Sequence, residues 1–169
     1  MRLFLDCEWA DTLDSELVSL ALVSADGQYR FYREVDPLPK EPTDWVRAVV
    51  YPRLERGYAA QRHIDFTRDL RAFLAAFDEP QVLFDYNADG ALFNYALSGF
   101  DLPDEVLAKL PPAPKVSQTL ILHDDVRRGI EQYFHERPEH AGRRHHAGVD
   151  AEALRWAFVT ALGLAGSRS

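Results

Sequence analysis

"LFLDCEWA", residues 3–10, decides how this chain is read. Leu3, Phe4 and Leu5 make an apolar run of the kind that forms a buried strand, and the run then places Asp6 and Glu8 two positions apart. Side chains at i and i+2 of a strand share a face, so two carboxylates leave an apolar element side by side. Like charges repel, and burying a carboxylate is costly. Either a cation lies between the two groups or one of them keeps its proton. Cys7 points to the opposite face and reads as a small core residue.

Outward from this strand, taken as residues 2–7, the pattern continues with period 2. "SELVSLALVSADG" (15–27) alternates through Leu17, Ser19, Ala21 and Val23 to an Asp26-Gly27 turn signal, and "QYRFYREV" (28–35) returns as a third, antiparallel strand. Pro37, Pro39 and Pro42 break the chain before "TDWVRAVVYPRL" (43–54), a short helix with Thr43 or Asp44 as N-cap that ends near Pro52. Phe66, Leu70, Phe73, Leu74 and Phe77 recur at helical spacing in "DFTRDLRAFLAAF" (65–77). "QVLFDY" (81–86) is a short apolar strand, and "ADGALFNYALSGF" (88–100) is a helix stopped at Gly99. Residues 101–118 are proline-rich and irregular; "TLILHDDVRRGIEQYF" (119–134) reads as helix with its start left open, and "RPEHAGRRHHAG" (137–148) as a polar loop. "VDAEALRWAFVTALGLAG" (149–166) is the last helix, with Leu154, Phe158, Ala161 and Leu162 on one stripe. Three meandering strands followed by helix, strand and more helices predict one α/β domain over residues 1–169, with a mixed central sheet flanked by helices.

The bulk properties fit a globular domain: 169 residues, 47% hydrophobic and 12% aromatic, with no run approaching the ~20 apolar residues of a membrane span. The start is strand-like, without a signal-peptide pattern, and the single cysteine fits a reducing, cytoplasmic setting. A formal charge of −8 argues against a broad grip on duplex DNA. Acids that hold metal ions count toward that charge, so it leaves a nuclease open.

Two further acids join the opening pair. Asp89 lies at the start of the helix that follows "VLFDY", at the strand-to-helix turn where α/β proteins place ligands. In "HHAGVDA" (145–151), Asp150 opens the final helix behind a histidine-bearing loop. Taken singly, either acid is also what a helix cap or first turn prefers. A pair of divalent ions is a common reason to assemble four carboxylates from three distant segments, and hard oxygen ligands of this kind select Mg²⁺ or Mn²⁺.

These stretches resemble known motifs. "FLDCEW" is similar to the first, Asp-x-Glu motif of the DEDD 3′–5′ exonucleases, and "VLFDYNAD" resembles the second in length and context. "HHAGVDA" is similar to the third motif of the histidine subclass, His-x-Ala-x-x-Asp. "ELVSL" (16–20) and "WVRAVVYPRL" (45–54) add likeness to the short stand-alone bacterial 3′–5′ exoribonucleases of the mycobacterial type. The resemblance implies a ribonuclease H-like fold and hydrolysis of phosphodiesters from a free 3′ end, RNA before DNA, releasing nucleoside 5′-monophosphates. It implies two Mg²⁺ or Mn²⁺ ions on Asp6, Glu8, Asp89 and Asp150, with Asp6 bridging, and His145 as the base that takes the proton of the attacking water. It also implies a homodimer. The chain departs from the pattern at Trp9, where the family often has threonine, and at Asp85, which occupies the turn before the second aspartate. Asp89 is preferred to Asp85 by spacing, with Asp85 tethering the turn. His145 is preferred to His146, which has the spacing of the sister subclass's tyrosine.

Around the acids, Trp9 reads either as a core residue or as a platform for the terminal base, and Leu92 and Phe93 either as core or as a wedge against the last nucleotide. Arg144, with Arg143 and the Arg127-Arg128 pair, forms a basic rim or a solvated face, and Trp45 and Val49 form a partner surface. Two other functions compete with the exonuclease: an endonuclease of the ribonuclease H type, and a protein that binds nucleic acid ends without cutting. A proton-sharing pair of acids leaves Asp89, His145 and Asp150 without a role.

Overall fold

The strand that carries Asp6 and Glu8 is central to the sheet of the computed structural model, which describes residues 1–161 and 163. It runs over Arg2–Trp9 (β1), two residues longer than its apolar pattern predicts. β2 (Leu17–Ser24) pairs antiparallel to it with Asp6 opposite Ala21 and Glu8 opposite Ser19, and β3 (Arg30–Val35) pairs antiparallel to β2. Ala60–Gln61 (β4) adds a parallel strand beside β3, and Gln81–Phe84 (β5) and Ser117–Leu120 (β6) extend the other side in parallel. The order across the sheet is β4-β3-β2-β1-β5-β6, six strands of mixed direction.

Helices cover both faces. The short α1 (Asp44–Val49) is capped by Thr43, whose side chain accepts from the Val46 N–H at 3.2 Å. α2 (His63–Ala75) and α3 (Asn87–Ser98) lie on one face, and α7 (Ala147–Ala161) crosses the other. Between α3 and α7 come α4 (Asp104–Leu107), α5 (Asp124–Glu136) and α6 (Pro138–Ala141). The alternation in β1 separates two cores: Leu3, Leu5 and Cys7 pack with Leu70, Leu74 and Phe93, whereas Phe4 packs with Leu154 and Ala157 of α7. Burying each large side chain contributes about 1.5–3 kcal/mol. Alanines at Ala21, Ala147 and Ala151 let the start of α7 lie close to β2, and this close approach brings Asp150 to the face bearing Asp6 and Glu8.

Four readings are corrected. The stretch 119–134 is not one helix: Ser117–Leu120 is an edge strand and the helix starts at Asp124. Residues 101–118 contain α4, and the loop 137–148 contains α6. The final helix begins two residues before Val149, and Ala161 is exposed, off the buried stripe; Leu162 lies outside the described residues. Gly99 does end α3, in the left-handed region at φ 113° that only glycine enters without strain. Among the described residues no helix is long and apolar enough to cross a membrane.

Candidate active site

β1 runs past the end of β5, which pairs with it only as far as Phe4. Beyond that point the β1 N–H groups facing β5 need other partners. Cys7 N–H donates to Asp89 Oδ1 at 3.1 Å, so the open edge of the strand itself fixes the acid of α3. On the other face Asp150 Oδ2 accepts from the His145 N–H at 2.8 Å, which ties the start of α7 to the loop before it. His145 takes a left-handed backbone, φ 69°, uncommon for a residue with a Cβ. This turn aims its ring at the acids. Ligand atoms of Glu8, His145 and Asp150 all lie within 4.8 Å of one another.

The resulting cleft has a volume of about 220 Å³ and is lined by Asp6, Glu8, Asp85, Asp89, His145 and Asp150 among others. Glu8 is 7% exposed and Asp89 2%. Asp6 Oδ2 and Asp150 Oδ1 are buried without a hydrogen-bond partner among the described residues. Burial, then the charges of Asp150 and Asp89, pushes Glu8 up to about 8; burial, then Asp85, pushes Asp89 up to about 8. Asp150 rises to about 7, mainly by burial, and Asp6 lies well above the carboxylate range from burial and then Asp150. His145 is held below its ordinary value by burial and then by Arg144. The opening pair thus belongs to a cluster of acids whose ionisation burial and mutual repulsion oppose.

Some residues read from the sequence are placed elsewhere. Leu92 and Phe93, 2% and 0% exposed, belong to the core on the α2–α3 face, which overturns their reading as a wedge on the nucleotide. They lie three and four residues after Asp89, on the same side of the helix but a turn deeper into the protein. Trp9 lines the cleft and stacks on Tyr86, ring centroids 5.5 Å apart. Arg144 lines it too, paired with Glu131 at 2.5 and 3.0 Å and lying over the Phe134 ring. Arg143 turns to another cleft, and Arg127 and Arg128 pair with Asp124 and Asp125 on α5, so no continuous basic rim forms from the four. His146 faces away, stacked on Tyr32. Asp85 borders the cleft as a fifth acid; its charge raises Asp6 and Asp89.

Two residues escaped the sequence reading. Trp45, read as a partner surface, meets the His145 ring edge-on at 4.8 Å while half exposed. Arg53, at the end of the same segment, lowers Glu8 and Asp150 against the dominant effect of burial. Its Nε is buried without a partner among the described residues. No local signal marks either residue, because the contacts come from docking residues 43–54 beside the end of β1. Neither a protein-family model nor a curated protein matches the chain.

Proposed function

We propose that this chain is a metal-dependent 3′–5′ exonuclease of the histidine DEDD type, on a ribonuclease H-like fold, and that RNA is its substrate. The observation that carries the reading is the convergence of Asp6, Glu8, Asp89 and Asp150 with His145 at one cleft. Three antiparallel strands followed by parallel ones, with β1 central, agree with that fold.

The donor set fits divalent ions. It is hard oxygen with one imidazole, two of its buried carboxylate oxygens have no other partner among the described residues, and the lone thiol faces the opposite core. Asp6, Glu8, Asp89 and Asp150 would hold the ions. When bound, they supply the positive charge that ionises the acids and offsets charge developing on the phosphate. His145 Nε2 or Nδ1 takes the proton of the attacking water; burial keeps the imidazole neutral and so free to accept it. Asp150 orients the loop that carries it. Trp45 and the Trp9–Tyr86 stack border the site, and aromatic faces hold a terminal base by stacking.

Digestion of 5′-labelled RNA and DNA oligomers with Mn²⁺ or Mg²⁺, against EDTA and Asp6→Asn, tests the reading. The expected result is a ladder shortening by single nucleotides from the 3′ end of RNA, absent in EDTA and in the variant. Internal cuts would point to an endonuclease. Uncut substrate with folded protein would leave only end-binding.

A further inference from the structure

The segment 143–146 separates two clefts. Arg144 and His145 face the acidic one; Arg143 and His146 face a second, between β3, the start of α7 and the loop at Glu55. We propose that this second cleft binds a guanine nucleotide. The proposed hydrolysis does not use these residues.

The cleft holds about 420 Å³, within the ~300–1,000 Å³ of small-molecule sites. Part of its wall is apolar and aromatic, Val23, Val149 and the Tyr32 ring stacked on His146 at 4.5 Å, and the rest is polar and charged. His146 is 3% exposed, and the Gly148 N–H donates to its Nδ1 at 3.1 Å. Nδ1 is therefore an acceptor, and the neutral ring carries its proton on Nε2. That Nε2 is buried and lacks a hydrogen-bond partner among the described residues, with Glu55 Oε1 3.3 Å away but off the hydrogen-bond direction. A buried donor left unpaired is rare in a native fold and calls for an explanation.

A donor beside a carboxylate matches the edge of guanine. The adjacent N1–H and N2–H groups of the base meet the two oxygens of Glu55, and O6 accepts from His146 Nε2–H. No other base offers two neighbouring N–H groups next to a carbonyl. Phosphate has partners at the mouth: Arg143 and Arg30, both more than half exposed, are paired at 3.6 Å with Glu55 and at 2.8 Å with Glu152. Exposed pairs of this kind are weak, whereas an arginine turned to phosphate makes charge-assisted bonds. A guanine engaging Glu55 frees Arg143 for that turn.

The test is calorimetric titration of the full chain with GMP, AMP, CMP, UMP and guanosine in EDTA, so that nothing binds through a metal. One GMP per chain is expected, with the other three mononucleotides at least about tenfold weaker, the worth of one good base-edge contact. Glu55→Gln, at an exposed position, is expected to weaken GMP by about tenfold or more. Arg143→Ala is expected to weaken GMP by a similar factor and leave guanosine unchanged. Asp89→Asn, in the other cleft, leaves all of these values in place. Displacement of bound GMP by a guanine-containing RNA pentamer would mark a residue of the RNA chain as the natural occupant, and its absence a free nucleotide; either leaves the site standing. No binding in EDTA, equal affinity for all four bases, or loss of binding in Asp89→Asn with retention in Glu55→Gln would overturn the proposal. Because the readout is binding without metal, it stands apart from the question of hydrolysis.

Discussion

Removing one charge from the acidic cleft tests the electrostatic reasoning most directly. In the folded, metal-free chain Glu8 is held up to about 8, by burial first and then by Asp150 and Asp89, against an ordinary value of 4.5. The folded state therefore binds a proton that the unfolded state releases, and stability falls as pH rises between those two values. At about 1.4 kcal/mol per unit, this interval of roughly 3.5 units costs the folded state about 5 kcal/mol by pH 8. Glu8→Gln removes that cost but leaves an amide without full hydrogen bonding, a penalty of about 1–3 kcal/mol. The net expectation is a variant more stable than the wild type by about 2–4 kcal/mol at pH 8 in EDTA, with the difference absent or reversed near pH 4.5. In a chain of this length that raises the melting temperature by about 4–16 °C. Urea unfolding at several pH values in EDTA measures it. Mn²⁺ at a hundred times its dissociation constant should then stabilise the wild type by about 2.7 kcal/mol and the variant by less. A gain from Glu8→Gln of equal size at pH 5 and pH 8 would refute the account.

Other expectations concern neighbouring residues. His145→Ala should lower cleavage by about 10²–10⁴-fold while leaving most of the stabilisation by Mn²⁺; equal loss of both would make His145 a ligand and not a base. Because burial and Arg144 hold the imidazole below its ordinary value, the wild-type rate should persist below pH 6.5 before it falls, as a pH profile of kcat/KM will show. Trp45→Ala, at a half-exposed position, should leave the melting temperature within a degree or two yet weaken binding of the RNA 3′ end by about 1–3 kcal/mol, read as a higher KM. Gly90→Ala places a Cβ 2.6 Å from the Phe84 ring; such overpacking costs about 1–3 kcal/mol. By shifting α3 it should also weaken metal binding through Asp89.

How far the sequence revealed this site depended on the range of each signal. Asp6 and Glu8 were legible because strand alternation is local, and the same alternation sent Cys7 to the other core. Asp89 and Asp150 were legible as first-turn acids, although only the folded chain gives them a common cleft. Edge strand β6 was misread because three of its four residues are exposed and its pairing with β5 spans more than thirty residues of sequence. The segment 43–54 shows the limit most clearly. Trp45 and Val49 read there as a partner surface, whereas Val46 and Val50, four residues apart, form the face that is buried. They dock on Ala10 and Val18, and the Thr43 N–H donates to Ala10 O at 2.9 Å, just beyond the end of β1. That attachment carries Trp45 onto His145 and brings the charge of Arg53 to bear on Glu8 and Asp150. An amphipathic face states that a segment is buried, and its partner decides what the exposed side meets. Residues that shape a site from the exposed side of a docked segment are therefore the ones that sequence patterns leave unmarked.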